Sequence, residues 1–423
     1  MKTFPTNKLK ILNDPVYGFI HIPDESIFDL IESPYFQRLR NIKQLGMTHL
    51  VYPGALHTRF HHALGAMYLT TQAIELLRFK GHDISEQEAL SLVQAILLHD
   101  LGHGPFSHAL EHVLIEELNH EQLTGLFMER LEQKHGHALE GALKIFRNTH
   151  PKKFLHQLVA GQLDMDRLDY LNRDSFYTGV SEGVVSWDRI IKMLNISGDQ
   201  LVIDEKGIYS IEKFIIARRL MYWQVYLHKT VISAEKLLNS IVSRAKTLAM
   251  AGEELFAPPA LARFLKRKYA QKDLLDDQSL LEDYALIDDH DLHAAIKVWA
   301  NHSDQVLSQL CDNLVNRHLF RIEIQKLPFT AEYIEEVRFR TRRLCKVSDE
   351  DVDYFVISGI TRNNAYDPVI GNIMVLSRAG ALTDIAQASD HLNISVLSHP
   401  VEKFFLCYPK KVAEPNLEKS RKT

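Results

Sequence analysis

Apolar residues recur at helical spacing through most of residues 26–241, which predicts a long, mainly helical region. The clearest segment runs from Ser85 to Leu98. Ser85 reads as an N-cap with Glu88 three residues on, a capping box, and Ala89, Leu92, Val93, Ile96 and Leu97 then form one stripe. Asn13 to Pro23 reads as a turn with a short strand or hairpin, and Leu201 to Tyr209 as a hairpin interrupting the helices. Ile211 to Leu238 reads as one long helix, and Ala257-Pro258-Pro259 as a break before another helical segment. Beyond a boundary near residue 310 the texture changes. Leu319–Ile324, Tyr354–Ser358 and Asn372–Ser377 alternate like strands, Thr383 to Ala388 reads as a short helix, and Lys410 to Thr423 as a disordered polar tail. The fold class expected is mainly α: a helical core over residues 1–310 with a short hairpin insertion, then a small α/β region over 311–423.

Composition narrows the class without naming it. Hydrophobic residues make up 46% and charged residues 24%, as in an ordinary globular chain. A net charge of −5 argues against a surface given over wholly to nucleic acid. Cys311, Cys345 and Cys407 are widely spaced and form no CxxC, so neither a disulfide framework nor a zinc ribbon is expected. No apolar run is long enough to span a bilayer, and Met1 to Lys10 lacks the apolar core of a signal peptide. The expectation is a cytoplasmic protein.

Histidine placement is the strongest chemical signal. Fourteen of the 22 histidines lie between His49 and His156. His62, the adjacent pair His99-Asp100, and Asp166 form a His … His-Asp … Asp set. Such a mixed nitrogen and oxygen donor set suits a divalent first-row metal such as iron, manganese, zinc or nickel. Four protein donors leave positions open for water and a substrate phosphate. In Leu163–Asp174, i to i+4 spacing puts Asp166 and Tyr170 on one face, with Asp169 pointing elsewhere. His103, His108 and the pair His120-Glu121 are further candidates, because a His poised near neutral pH donates a proton or holds a phosphate oxygen, and a carboxylate beside it keeps it protonated. Arg59, Arg167, Arg218 and Lys229 are candidate clamps on a polyphosphate. Neither a Walker A motif nor a GxGxxG loop is present, so phosphate binding falls to metal and side chains.

These motifs resemble a known family, the HD-domain metal-dependent phosphohydrolases. The likeness is greatest to the branch of deoxynucleoside triphosphate triphosphohydrolases that includes the animal SAM-and-HD-domain proteins. It is carried by Phe36 to Gly46, Pro53-Gly54 with Arg59 and His62, His99 to His108, His120-Glu121, Asp164 with Asp166, and Tyr226 with His228-Lys229, over about half the chain from Asn13 to Ser233. The resemblance implies that His62, His99, Asp100 and Asp166 hold the metal. It implies that His103, His108 and His120 line the α-phosphate, one of them serving as general acid, with Glu121 beside them. It further implies that Arg59, Arg167, Tyr170, Arg218, His228 and Lys229 face phosphates or base. Gln44 and Asp174 would read the sugar 3′-hydroxyl, and Tyr226 would crowd the 2′ position. Lys10, Asn13, Gln37 and Arg40 match part of an allosteric guanine-nucleotide site. The implied partners are a dNTP with accompanying magnesium, a nucleotide activator, and further copies of the chain in a dimer or tetramer. There are departures: His61 stands where a Glu is common, Arg167 replaces a Lys, Glu32 replaces an Asp of the allosteric set, and no SAM domain is expected ahead of the motifs.

Two other functions share these features. A different HD phosphohydrolase, a nucleotide phosphatase or phosphodiesterase, needs the same metal set and differs only in its pocket. A nucleotide sensor or nucleic-acid-binding regulator would use the basic cluster Arg338, Arg340, Arg342, Arg343 and Lys346, although a solvated helix face accounts for the same residues.

Overall fold

In the computed structural model, residues 10–134, 136, 138–363, 366, 371–389 and 401–413 are described; His135, His137 and the polar tail beyond residue 413 lie outside them. The architecture is mainly helical. A short antiparallel hairpin, β1 (Ile11–Asp14) and β2 (Gly18–His21), precedes the helices. The core is built on α1 (Arg59–Phe79), α2 (Glu86–Leu98), α3 (His120–Lys134) and α4 (Met165–Thr178). The Ser85 capping box forms as its spacing predicts: Ser85 N donates to Glu88 Oε2 at 2.9 Å, and Glu88 N donates to Ser85 Oγ at 3.2 Å. In α1 the corresponding role falls to His61, whose Nδ1 accepts from Thr58 N at 3.2 Å. Among the described residues no helix is long and apolar enough to cross a membrane.

The hairpin insertion lies earlier than its sequence suggests. Its strands are β3 (Leu194–Ser197) and β4 (Gln200–Asp204), turning at Gly198 (φ +55°) and Asp199, while Ile208 already begins α5 (Ile208–Met221). The expected helix over 211–238 is also two helices. After α5 the backbone widens into a π-helical turn at Tyr222–Tyr226, and α6 (Lys229–Met250) restarts with His228 as N-cap, its Nδ1 accepting from Thr230 N at 3.2 Å.

Beyond residue 310 come β5 (Arg321–Gln325), α7 (Ala331–Cys345), β6 (Ile357–Asn363), β7 (Met374–Leu376), β8 (Leu382–Asp384) and β9 (Val401–Tyr408). β5 and β6 flank β9 in an antiparallel sheet, whereas β7 returns to pair in parallel with β4 of the insertion. The short helix is confined to Ile385–Ala388, because Leu382–Asp384 pairs with β7.

The loop after α2 carries most of the candidate chemistry and is held from several sides. Phe106 and Ser107 both adopt left-handed φ, +56° and +55°, which non-glycine residues rarely tolerate without outside support. Asp289 supplies support by accepting from Phe106 N at 2.7 Å and from Lys43 N at 3.1 Å. Ser107 Oγ donates to Lys43 O at 2.7 Å, and the buried Arg38 guanidinium donates to His103 O at 2.9 and 2.8 Å. At Gly102 a Cβ would lie 2.0 Å from His120 O and 2.4 Å from Thr124 N, so the loop reaches α3 only with glycine there. Gly102→Ala is therefore expected to destabilise the fold by about 3 kcal/mol through overpacking against backbone, read from urea unfolding.

Candidate metal centre

Four side chains from three places in the chain converge at the ends of α2 and α4 beside α1. His62 Nε2 lies 3.4 Å from His99 Nε2, 3.1 Å from Asp166 Oδ1 and 3.6 Å from Asp100 Oδ2. His99 Nε2 lies 3.6 Å from Asp166 Oδ1 and 3.5 Å from Asp100 Oδ1. A divalent ion about 2.1 Å from each donor places donor pairs about 3.0–3.4 Å apart. His62, His99 and Asp166 group closely enough to hold one, and Asp100, 3.5–3.6 Å from the two imidazoles, stands slightly outside that spacing. Protonation points the same way. His62 Nδ1 is engaged by Asp169 Oδ2 at 2.7 Å and His99 Nδ1 by Ile96 O at 2.6 Å, which directs both Nε2 lone pairs inward, toward two carboxylates. Without a cation that concentration of negative charge draws a proton. Burial alone would lower the His62 pKa, but hydrogen bonds to Asp166 and Asp169 outweigh it and raise it to about 10. Asp166, despite its own desolvation, is held well below the usual carboxylate range by His62 and His99.

The carboxylate behind His62 is one that helical spacing had pointed away from the site. Asp169 is buried against α1 rather than directed elsewhere, and Arg173 Nε and Nη2 each donate to it at 2.9 Å. Arg59 is likewise buried, donating to Asp100 Oδ2 and, through Nε, to Ser107 Oγ at 2.9 Å. Arg59 is thus engaged with a member of the metal set rather than standing free in the cavity.

Beside these four, His103, His108 and His120 cluster. The rings of His103 and His120 stack at 4.1 Å, and His108 meets both edge-on at 4.7 and 4.9 Å. The carboxylate that grips them is Glu111, not Glu121. Its Oε1 lies 2.8 Å from His120 Nδ1 and its Oε2 3.1 Å from His108 Nδ1, whereas Glu121 stands exposed at the cavity margin. His103, 3.3 Å from Asp100 Oδ1, is not poised near neutral pH: burial and the nearby Arg59 push it well below its ordinary value.

A cavity of about 1060 Å³ opens over the centre, lined by His99, Asp100, Asp166, His120, Arg167 and Gln162 among others. Arg167 donates to Asp164 and Gly161 O through Nη1, and its buried Nε has no partner among the described residues. Arg218, behind the wall rather than in the lining, reaches Gln162 Oε1 at 3.4 Å, and its Nε has no partner among the described residues. Other predicted residues lie off this wall. Asp174 accepts from Tyr226 at 2.8 Å and bonds His57 Nε2 at 2.7 Å, Tyr170 packs edge-on against Tyr226 at 6.0 Å, and Gln44 Oε1 is buried with no partner among the described residues. His228 and Lys229 face a separate cavity of about 440 Å³ with Trp223, Lys326 and Lys403. Arg40 donates to Gln37 Oε1 at 2.8 Å and Lys10 lies over the Phe28 ring, while Asn13 pairs with Phe19 in the first hairpin. In the basic cluster, Arg338 pairs with Asp353, Arg340 with Glu336 and Arg342 with Asp349, which leaves little unbalanced charge for nucleic acid.

Comparison with known proteins bears on the family. Residues 185–258 match the family model described as HD associated region. A crystal structure of a phosphohydrolase from Bacteroides thetaiotaomicron superposes with a TM-score of 0.91 at 49% identity, over 94% of this chain and 99% of that one. The uncharacterized protein YwfO of Bacillus subtilis is 35% identical over 86% of this chain and 83% of its own length. The deoxynucleoside triphosphate triphosphohydrolase SAMHD1 homolog of Dictyostelium discoideum is 31% identical over 59% of this chain, which spans 52% of that protein. A phosphohydrolase with nearly half its residues identical, aligned almost end to end, shares fold and chemistry together, and on that ground this chain belongs to the HD-domain phosphohydrolases and is a hydrolase of the HD type.

Proposed function

We propose that this hydrolase cleaves deoxynucleoside triphosphates to deoxynucleoside and triphosphate, by attack of water on the α-phosphorus. The observation that carries the reading is the convergence of His62, His99, Asp100 and Asp166 donors at 3.1–3.6 Å beside a cavity that also bears His120 and Arg167. The substrate class is supported by relatives named as deoxynucleoside triphosphate triphosphohydrolases, at 31% and 28% identity. When bound, a divalent ion supplies Lewis acidity to a phosphoryl oxygen and makes water acidic enough to ionise near neutral pH. The protein's own groups do the rest. His120, gripped by Glu111, is assigned the proton for the leaving alkoxide. Arg167 and Arg218 are assigned the triphosphate charge, their buried Nε groups being donors without an acceptor among the described residues. Gln44, Asp174 and Tyr226 are assigned the sugar. Residues 1–310 are proposed as the catalytic core, a nucleotide activator as the occupant near Lys10, Asn13, Gln37 and Arg40, and self-assembly as the active form.

A nucleotide phosphatase or phosphodiesterase is the second reading, favoured by one observation. Both Asp174 oxygens are occupied by His57 and Tyr226, and neither Asp174 nor Gln44 lines the large cavity. Chromatography of products from each dNTP and NTP with manganese, alone and with GTP added, separates the two. Deoxynucleoside with intact triphosphate is the expected result; orthophosphate or pyrophosphate would establish the alternative.

Sugar selection has its own test. Tyr226→Phe frees one Asp174 oxygen, and the ratio of dNTP to NTP turnover is expected to change about tenfold. An unchanged ratio would remove Tyr226 and Asp174 from the sugar site.

Metal binding should depend on pH with a defined sign. His62 in the metal-free protein, raised to about 10, carries a proton at pH 7 that an incoming cation must displace. Affinity is therefore expected to rise with pH up to about 10 and to fall about tenfold per unit below it, with proton release seen by calorimetry in buffers of different ionisation enthalpy. Asp166→Ala should abolish both binding and proton release.

A further inference from the structure

A buried chain of alternating charge leads from the candidate metal ligand His62 to the N-terminal hairpin. His62 Nδ1 meets Asp169 Oδ2 at 2.7 Å. Arg173 grips Asp169 with two parallel bonds of 2.9 Å, and its remaining Nη1 donates to Asp14 Oδ2 at 2.7 Å. These side chains are essentially fully buried, Asp14 being the most accessible at 5%. From this chain we propose that Asp14 is a positioning residue that sets how tightly His62 holds a divalent ion, although Asp14 touches neither the ligand set nor the cavity.

Three features carry the proposal. The first is charge. Arg173 is shared between two carboxylates, so Asp169 keeps enough negative charge to pull on the His62 Nδ1–H, and that pull makes Nε2 a stronger donor. Take away the Asp14 charge and Arg173 draws wholly on Asp169, which then competes less well for His62. The second is rigidity. The other Asp14 oxygen accepts from Val16 N and Tyr17 N, both at 2.9 Å, so the hairpin turn itself aims the carboxylate at Arg173. The third is reserved space. Gly65 stands nearly one turn after His62, where a Cβ would fall 1.9 Å from Asp169 Oδ1 and 2.2 Å from Arg173 Nη2. α1 thus leaves room for this ion pair where any larger residue would expel it.

The proposal rests on reading His62 as a metal ligand, and the experiment keeps the two apart. The full-length protein, stripped by chelator, is titrated with Co²⁺ and followed by calorimetry and by the visible d–d bands. Wild-type protein that takes up no Co²⁺ would defeat the ligand reading itself. Given wild-type binding, Asp14→Asn, which keeps a turn-capping oxygen and loses the charge, is expected to weaken the Co²⁺ Kd about tenfold and to move the visible bands. KM for substrate at saturating metal should change less than twofold. An unchanged Kd with an unchanged spectrum overturns the proposal. Thermal unfolding of the metal-free variant checks the hairpin. Should it fall far below wild type, Asp14→Glu, which keeps the charge, must restore the wild-type Kd, and its failure to do so would equally overturn the proposal.

Discussion

His62 can meet both Asp166 and Asp169 only if α1 and α4 approach closely, and the rest of the centre depends on that approach. A glycine at position 65 permits it, since the space its Cβ would occupy is filled by Asp169 and Arg173. The contact serves two ends. It brings the Asp166 carboxylate within 3.1 Å of His62 Nε2, and it buries an arginine and a carboxylate that would otherwise be costly to desolvate. Arg173 offsets that cost with three charge-assisted hydrogen bonds to two carboxylates.

The loop that begins with His99-Asp100 is the second rigid part. Two consecutive non-glycine residues in the left-handed region do not persist on local preference alone. Here Asp289, Lys43 and Arg38 hold the loop by hydrogen bonds from other parts of the chain, and Arg59 bonds both its Asp100 and its Ser107. The strain fixes His103 and His108 in one placement at the cost of conformational ease.

Electrostatics separate the candidate site from the remainder of the surface. Near the cavity, Arg167 and Arg218 retain buried donors without acceptors among the described residues. On α7, by contrast, Arg338, Arg340 and Arg342 are neutralised by nearby acids. A basic run in sequence and a basic patch in space are therefore different things in this chain, because acids from the following loop, Asp349 and Asp353, fold back onto the helix.

Much of the fold and of the donor set was legible from the sequence, because both rest on local rules. Capping at Ser85 and the apolar stripe of α2 follow from short spacing, and the His … His-Asp … Asp set from residue type. Helix interruption at Tyr222–Tyr226 was not legible: the apolar period runs on through Val225, and the break comes from a backbone widening that leaves no mark in residue type. Nor was the identity of each histidine's partner. Glu111 lies nine residues before His120, Asp169 lies 107 residues after His62, and Asp14 lies 159 residues before Arg173. Local spacing picked out Glu121 beside His120 and turned Asp169 away, since it counts neighbours along one helix and cannot see a second segment laid against it. The sequence by itself determined which atoms were able to hold a cation. Only the tertiary structure decided which carboxylate stands behind each imidazole, because that choice depends on how closely two helices pack and on charges brought together from distant parts of the chain.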